Sequence, residues 1–297
     1  MKMDSHCHTN CSDGSISICE RIEMIRKLNY DAATITDHDF ISLKQVKIAV
    51  NACQEIPYIP GIELTADEKG KIVHILGYFV EPENEDLQEH IKEIDNLELS
   101  KTKKIIKNLK EKKISIEMDE LENNSLHSAH YLNLIKVLAK KLDFDKSLIF
   151  KYYMGAMIET NSNWTTFCEC SVQKAINLIH KAGGVAVLAH PGFDNDPFMR
   201  PLGFLNNTEK EISLFTEWGL DGIECHCPSH SKEQYRYFEK MAEKFDLGMT
   251  EGSDCHGNDE YLGPSLMDKF QTEFDDGYER ILHIQRKRYG KRWNPQW

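Results

Sequence analysis

Short apolar runs that end in histidine or aspartate constrain this chain most. Residues 31–36 (DAATIT) lead into Asp37, His38 and Asp39; 185–189 (VAVLA) lead into His190; and 247–252 lead into Ser253, Asp254 and His256. Such runs, bounded by polar clusters, predict buried strands. Residues 1–6, 58–63, 72–79 and 221–225 read as further strands, with a polar turn around Gly70 joining two of them. Between the strands, apolar residues recur at helical spacing. Ser17 and Glu20 form a capping box ahead of Ile18, Ile22, Ile25 and Leu28; Ser231 and Gln234 form another ahead of Tyr235, Phe238, Met241 and Phe245. Residues 42–53 predict a helix, and Ser171 caps one carrying Val172, Ile176 and Ile179 that Gly183 stops. A last helix is predicted over 272–288. Seven strands alternating mostly with helices predict an α/β barrel or a strongly curved parallel sheet.

The rhythm breaks near Glu81. From there to about Cys168 the chain is charged and helical: Leu87, Ile91 and Ile94 form one stripe, and a lysine-rich helix over 101–113 carries Ile105, Ile106 and Leu109. The division predicted is 1–81 and 169–297 as two parts of one catalytic domain, with 82–168 as a helical insertion. The lysine-rich helix reads as a solvated face, with contact to a nucleotide as the alternative.

With 297 residues the chain can bury a full core. Its 48 Asp+Glu against 36 Lys+Arg give a net charge of −12, which argues against coating nucleic acid or anionic membranes. A local anion site remains open, because bound cations invert the local field. No apolar run nears the ~18 residues of a membrane span, and the first residues lack a signal-peptide core. A cytoplasmic protein is expected, with no membrane partner. The nine cysteines then read as thiols and not as a disulfide framework.

Polar, metal-competent residues gather where predicted strands end. His6 and His8, at i and i+2, share one side of an extended chain and can reach one ion; Asp13 follows. Asp37, His38 and Asp39 at the mouth of a buried strand are costly unless paired or metal-bound. Glu63 in GIEL reads as a buried salt-bridge partner or a ligand; His74 in IVHIL as a core residue or a ligand. His190 ends VAVLA, and Asp254 and His256 end the last strand. Each alone is weak, but chance rarely sets such residues at the same end of so many strands, where ligands of α/β barrels are found. Imidazole with carboxylate suits Mn, Fe or Zn, and this many donors predicts more than one ion. Such a cluster would activate water and neutralise phosphate oxygens. Cys7, Cys11, Cys225, Cys227 and Cys255 flank these residues, either as small apolar fillers or as extra thiolate ligands.

The ordered motifs HCHTNCSDG, TDHD, GIEL, AGGVAVLAHPG, GIECHCPSH and GSDCHG resemble those of the PHP (polymerase and histidinol phosphatase) domain of metal-dependent phosphoesterases. The nearest branch is the stand-alone enzymes with a helical insertion, acting on nucleotides or short oligonucleotide 5′ ends. The resemblance implies a distorted seven-stranded (β/α) barrel and two to three divalent ions, Mn²⁺ with Fe²⁺ or Zn²⁺ as alternatives. It implies His6, His8, Glu63 and Asp254 at a first ion; Glu63, His74 and His190 at a second; and Asp13, His38 and His256 at a third. Asp254 or His256 would orient or relay a proton. His230 falls where the family has a histidine near the phosphate, as a contact or the acid for the leaving oxygen; its other reading is a helix-start surface residue. His130 would be a substrate contact, although Ser128 stands where the branch often has arginine. Cys255 and Tyr261 also depart from the branch. The activity implied is phosphate-ester hydrolysis by metal-activated hydroxide. The alternatives are a histidinol-phosphate phosphatase or other small-molecule phosphomonoesterase, and a metal-stabilised module without turnover.

Overall fold

The computed structural model describes residues 1–121, 130–143, 145–160, 170–193, 205–257 and 276–290. Six strands, β1 (Ala33–Ile35), β2 (Tyr58–Glu68), β3 (Lys71–Tyr78), β4 (Val185–Leu188), β5 (Gly222–His226) and β6 (Gly248–Glu251), form one curled sheet in chain order. The expectation of a parallel sheet is corrected. β1–β2, β4–β5 and β5–β6 pair in parallel, but β2–β3 and β3–β4 are antiparallel. The cause is the tight turn at Lys69 and Gly70, both at positive φ, which returns the chain as a hairpin with Thr65 opposite His74.

The seventh strand, expected over 1–6, is also corrected. Segment 2–8 forms one isolated parallel bridge, Cys7 to Cys255, and no regular strand. It still lies in the seam between the first and last strands. Asp31 and Thr36 N–H donate to Lys2 and Cys7 carbonyls on one side, while Ser5 and His8 N–H donate to Glu251 and Cys255 carbonyls on the other. The regular ladder fails because the Asp4 carboxylate takes the N–H groups of His6 (3.1 Å) and Ser253 (2.9 Å), side-chain bonds in place of strand bonds.

One face of the sheet, with Ile59, Leu76, Tyr78, Val185 and Val187, packs on Met3 and on Ile281, Leu282 and Ile284 of the last helix, α9 (Gly277–Tyr289). Each such side chain, fully buried, contributes roughly 1.5–3 kcal/mol. Gly248 opens β6 because an added Cβ would sit 2.1 Å from Ile284. α9 thus covers the starts of β5 and β6, opposite the ends that carry the polar motifs. Residues 272–275, expected to begin this helix, lie outside the described residues. The other face packs on α1 (Ile18–Lys27), α2 (Leu43–Cys53), α6 (Val172–Lys181), α7 (Glu209–Glu217) and α8 (Lys232–Lys244). The Ser17–Glu20 and Ser231–Gln234 capping boxes both form, and Ser171 accepts from Lys174 N–H.

Between β3 and α6 the described residues include α3 (Glu85–Glu111), a 3₁₀ turn (Met118–Leu121), α4 (His130–Lys141) and α5 (Lys146–Ile158). Leu87, Ile91 and Ile94 of α3 join the main core, whereas Ile105 and Leu109 join Leu134, Leu138, Tyr153 and Ala156 in a separate apolar cluster. Lys103, Lys104, Lys107 and Lys110 face solvent, but Lys101 is buried.

Candidate metal centre

The ends of the strands bring nine of the residues singled out above into one cluster. Glu63, wholly buried on β2, lies at its middle. Its Oε2 is 3.1 Å from His6 Nε2, 3.2 Å from His8 Nε2 and 3.2 Å from His38 Nδ1; its Oε1 is 3.0 Å from both His74 Nδ1 and His190 Nε2. Asp254 Oδ1 stands 3.1 Å from His8 Nε2 and 3.3 Å from His6 Nε2. Asp13 Oδ2 stands 3.0 Å from His256 Nε2 and 3.6 Å from His38 Nε2.

Three sets of ligand atoms lie close enough to hold an ion: His6, His8, Glu63 and Asp254; His8, Asp13, His38 and His256; and His38, Glu63 and His74. The first is the set implied by the motifs. His8 also stands with Asp13, and His38 also stands with Glu63, so both histidines serve two groups. None of the cysteines stands in such a set among the described residues. Burial pushes the Cys7, Cys225 and Cys227 thiols up, which suits protonated fillers.

The residues fit divalent ions better than they fit one another. One oxygen, Glu63 Oε2, faces three imidazole nitrogens, yet it and His38 Nδ1 are buried without a hydrogen bond that closes geometrically. His6 Nε2 and His8 Nε2 face each other at 3.2 Å. A cation accepts lone pairs from all of these at once. Burial works to lower the pKa of His6, but Glu63, Glu224 and Asp254 outweigh it and hold it well above the imidazole range. Burial also opposes charge on His8, which the Asp254, Glu63 and Asp13 carboxylates nevertheless carry up to about 10. At His38 burial, helped by the neighbouring His8 and His74, outweighs Glu63 and Asp13 and pushes the pKa down to about 3. Asp13, Glu63 and Asp254 stay ionised because the surrounding histidines outweigh their burial. Protons on the histidines thus balance buried carboxylates where bound cations would.

Two backbone positions here are strained: His190 at φ 23° and Asp254 at φ 52°, costing roughly 1–3 kcal/mol each for residues other than glycine.

Sequence reasoning missed the supports. Glu224, buried on β5, accepts from His6 Nδ1 (3.1 and 3.2 Å) and from His190 N–H (2.8 Å). The Arg21 guanidinium, buried on α1, donates to the carbonyls of His8 (2.9 and 3.0 Å) and Cys255 (2.9 Å), tying together two motifs from opposite ends of the chain. A charged residue inside an apolar run, as in GIEC, or on the apolar side of a helix, as in SICERIEMI, was the available signal. Asp37 turns away from the cluster: it accepts from Thr9 N–H and hydroxyl, Ser12 hydroxyl (each 2.7 Å) and Gln45 Nε2 (2.6 Å).

His230 lies inside the fold and not at its surface. It is buried, its Nδ1–H donates to Cys225 carbonyl (3.0 Å), and its Nε2 accepts Gly192 N–H (3.0 Å). Burial pushes its pKa down to about 4. Both ring nitrogens thus meet backbone groups, one of them in the loop after His190. The His130 side chain, and residues 127, 128, 260 and 261, lie outside the described residues.

No protein-family model matches the chain. It is 27% identical over 259 residues to a 5′-3′ exoribonuclease of Haemophilus influenzae, spanning 86% of this chain and 90% of that one. It is 27% identical over 263 residues to a 3′,5′-nucleoside bisphosphate phosphatase of Chromobacterium violaceum, spanning 86% and 87%. Among solved structures, a candidate metal-dependent phosphoesterase of Bifidobacterium adolescentis superposes with a TM-score of 0.73 at 24% identity, covering 95% of this chain and 96% of that one. Over most of its length the chain is thus similar to enzymes that hydrolyse phosphate esters. An amidohydrolase structure from C. violaceum, holding sulfate and no metal, shares the fold at a TM-score of 0.66 and 22% identity, over 91% and 96% of the chains. The chain has its histidines and carboxylates at the strand ends, where phosphate-ester hydrolysis assisted by bound ions would need them. No helix among the described residues is long and apolar enough to cross a membrane.

Proposed function

We propose that this phosphoesterase hydrolyses the phosphate ester of a nucleotide or short oligonucleotide, at a centre of two to three divalent ions, Mn²⁺ before Fe²⁺ or Zn²⁺. One observation carries the reading: the two oxygens of Glu63 face different sets of imidazoles, Oε2 towards His6, His8 and His38 and Oε1 towards His74 and His190. That is the placement of a carboxylate shared between ions. His6, His8, Glu63 and Asp254 would hold the first ion; Glu63, His74 and His190 the second; Asp13, His38 and His256 the third. When bound, the ions lower the pKa of water and neutralise phosphate oxygens. The substrate class comes from the two relatives, which act on RNA 5′ ends and on nucleoside bisphosphates by name.

The chain's own groups do the positioning. Asp254, partly open to solvent, or His256 beside it would orient the attacking water or relay its proton. His256 fixes one nitrogen on the Asp254 carbonyl (2.8 Å) and points the other at Asp13. The helical region, residues 82–168, would cover the mouth of the site and restrict what enters. Counting segment 2–8 as the strand in the seam would restore the seven-stranded barrel of the family.

The test is phosphate release by Mn²⁺-reconstituted protein from nucleoside monophosphates, 3′,5′-bisphosphates, short 5′-phosphorylated oligonucleotides and histidinol phosphate. Turnover is expected on nucleotide substrates. A strong preference for histidinol phosphate would overturn the substrate class, and no release from any of them, with ions bound, would leave a metal-stabilised module.

A further inference from the structure

Glu224 is a buried carboxylate that none of the motif assignments gave a role. Taking a carboxylate out of water costs several kcal/mol unless its oxygens are well met. Here they are met by two ligands from different parts of the centre: the His6 imidazole, in the set around Glu63 Oε2, and the backbone N–H of His190, whose ring faces Glu63 Oε1.

Each contact has a consequence. With a carboxylate against Nδ1, His6 carries its hydrogen there and turns the Nε2 lone pair into the cluster. With a carboxylate oxygen 2.8 Å from its N–H, His190 is held at φ 23°, a conformation its backbone would otherwise leave. Relaxing that turn would swing Nε2 off Glu63 Oε1. The last motif supplies the space: a Cβ added at Gly252 would lie 2.3 Å from His6 Cβ and 2.5 Å from Glu224 Oε1. Only glycine there lets the His6–Glu224 contact form.

We infer that Glu224 is a positioning residue that couples the first two ion positions, so that they fill together, while the outer position at Asp13, His38 and His256 fills independently. The inference rests on the metal assignment proposed above.

The experiment is Mn²⁺ titration of the metal-free full chain by calorimetry, with metal content after gel filtration. The wild type should bind two ions in one tight phase and a third separately. In Glu224→Gln the amide oxygen can still accept from His6, but its NH₂ would then oppose the His190 N–H, donor against donor. The tight phase should weaken about 10–100-fold, the scale for groups that orient metal ligands, with the outer phase unchanged. Gly252→Ala keeps the charge and blocks the slot, so it should weaken the same phase. Unchanged affinities in Glu224→Gln, or equal loss at all three positions together with a lowered melting temperature of the metal-free protein, would overturn the inference. Phosphate release is read separately. A wild type that binds ions in this pattern but releases no phosphate sinks the proposed function and leaves Glu224 its role; a wild type that binds no ions overturns both.

Discussion

The inner and outer walls of the histidine cluster are built by different rules. His6, His8 and Glu63 are wholly buried and His190 nearly so at 2% exposure, while Asp13, His38, Asp254 and His256 keep 15–20% of their side-chain surface in solvent. In the inner wall water cannot mend a mismatch, so fixed supports are needed: Glu224 on His6 and His190, Arg21 on the His8 carbonyl. In the outer wall Asp13 meets histidines with water at hand. Under the proposed assignment, the buried ligands would set where ions sit and the exposed ones would leave room for a substrate to approach.

The comparison breaks most sharply at Glu63. Glu63→Gln removes the charge between two ion positions in the inner wall. Metal content should fall by more than one ion per chain, and turnover by at least about 10²–10³-fold, the scale of losing one preorganised electrostatic group. Retention of full metal content by elemental analysis would refute the shared-carboxylate assignment.

A smaller effect is expected from Asp13→Asn in the outer wall. One ion should be lost or weakened while the inner pair remains, with turnover reduced less than in Glu63→Gln. If this variant loses every ion, the two walls are one cooperative unit and the distinction fails.

The smallest effect sharpens the picture through pH. The His8 pKa in the folded, metal-free chain is raised to about 10, against about 6.5 unfolded. Its contribution to stability is fully present below pH about 6.5 and is lost as pH rises towards 10. Between pH 6.5 and 8.5, below the range in which buried thiols would titrate, the melting temperature in chelator should therefore fall by a few degrees, at about 2–4 °C per kcal/mol. With Mn²⁺ bound the imidazole is already deprotonated, so that fall should vanish, and ion affinity should rise with pH. A pH-independent melting temperature in chelator would show that protons do not stand in for cations here.

Much of this was legible in the chain itself. Ser17 with Glu20, Ser231 with Gln234 and the VAVLA run are local signals, carried by caps and apolar spacing over a few residues, and each appears in the fold as expected. The His-x-His pair and the residues ending each strand were readable for the same reason: a costly polar group at the end of an apolar strand needs a purpose. What spacing could not convey is which distant groups meet. That segment 2–8 slots between β1 and β6 without becoming a strand depends on Asp4 finding Ser253, near the other end of the chain. That His230 turns inward to Gly192 and Cys225, and that Glu224 serves two ligands at once, depends on how β4, β5 and the loops at their ends pack. Apolar periodicity and capping are properties of neighbours along the chain and determine elements. Hydrogen-bond partners in a buried centre are neighbours only in space, so the tertiary structure alone decided which histidines converge on Glu63, which turn to the backbone and which carboxylates stand behind them.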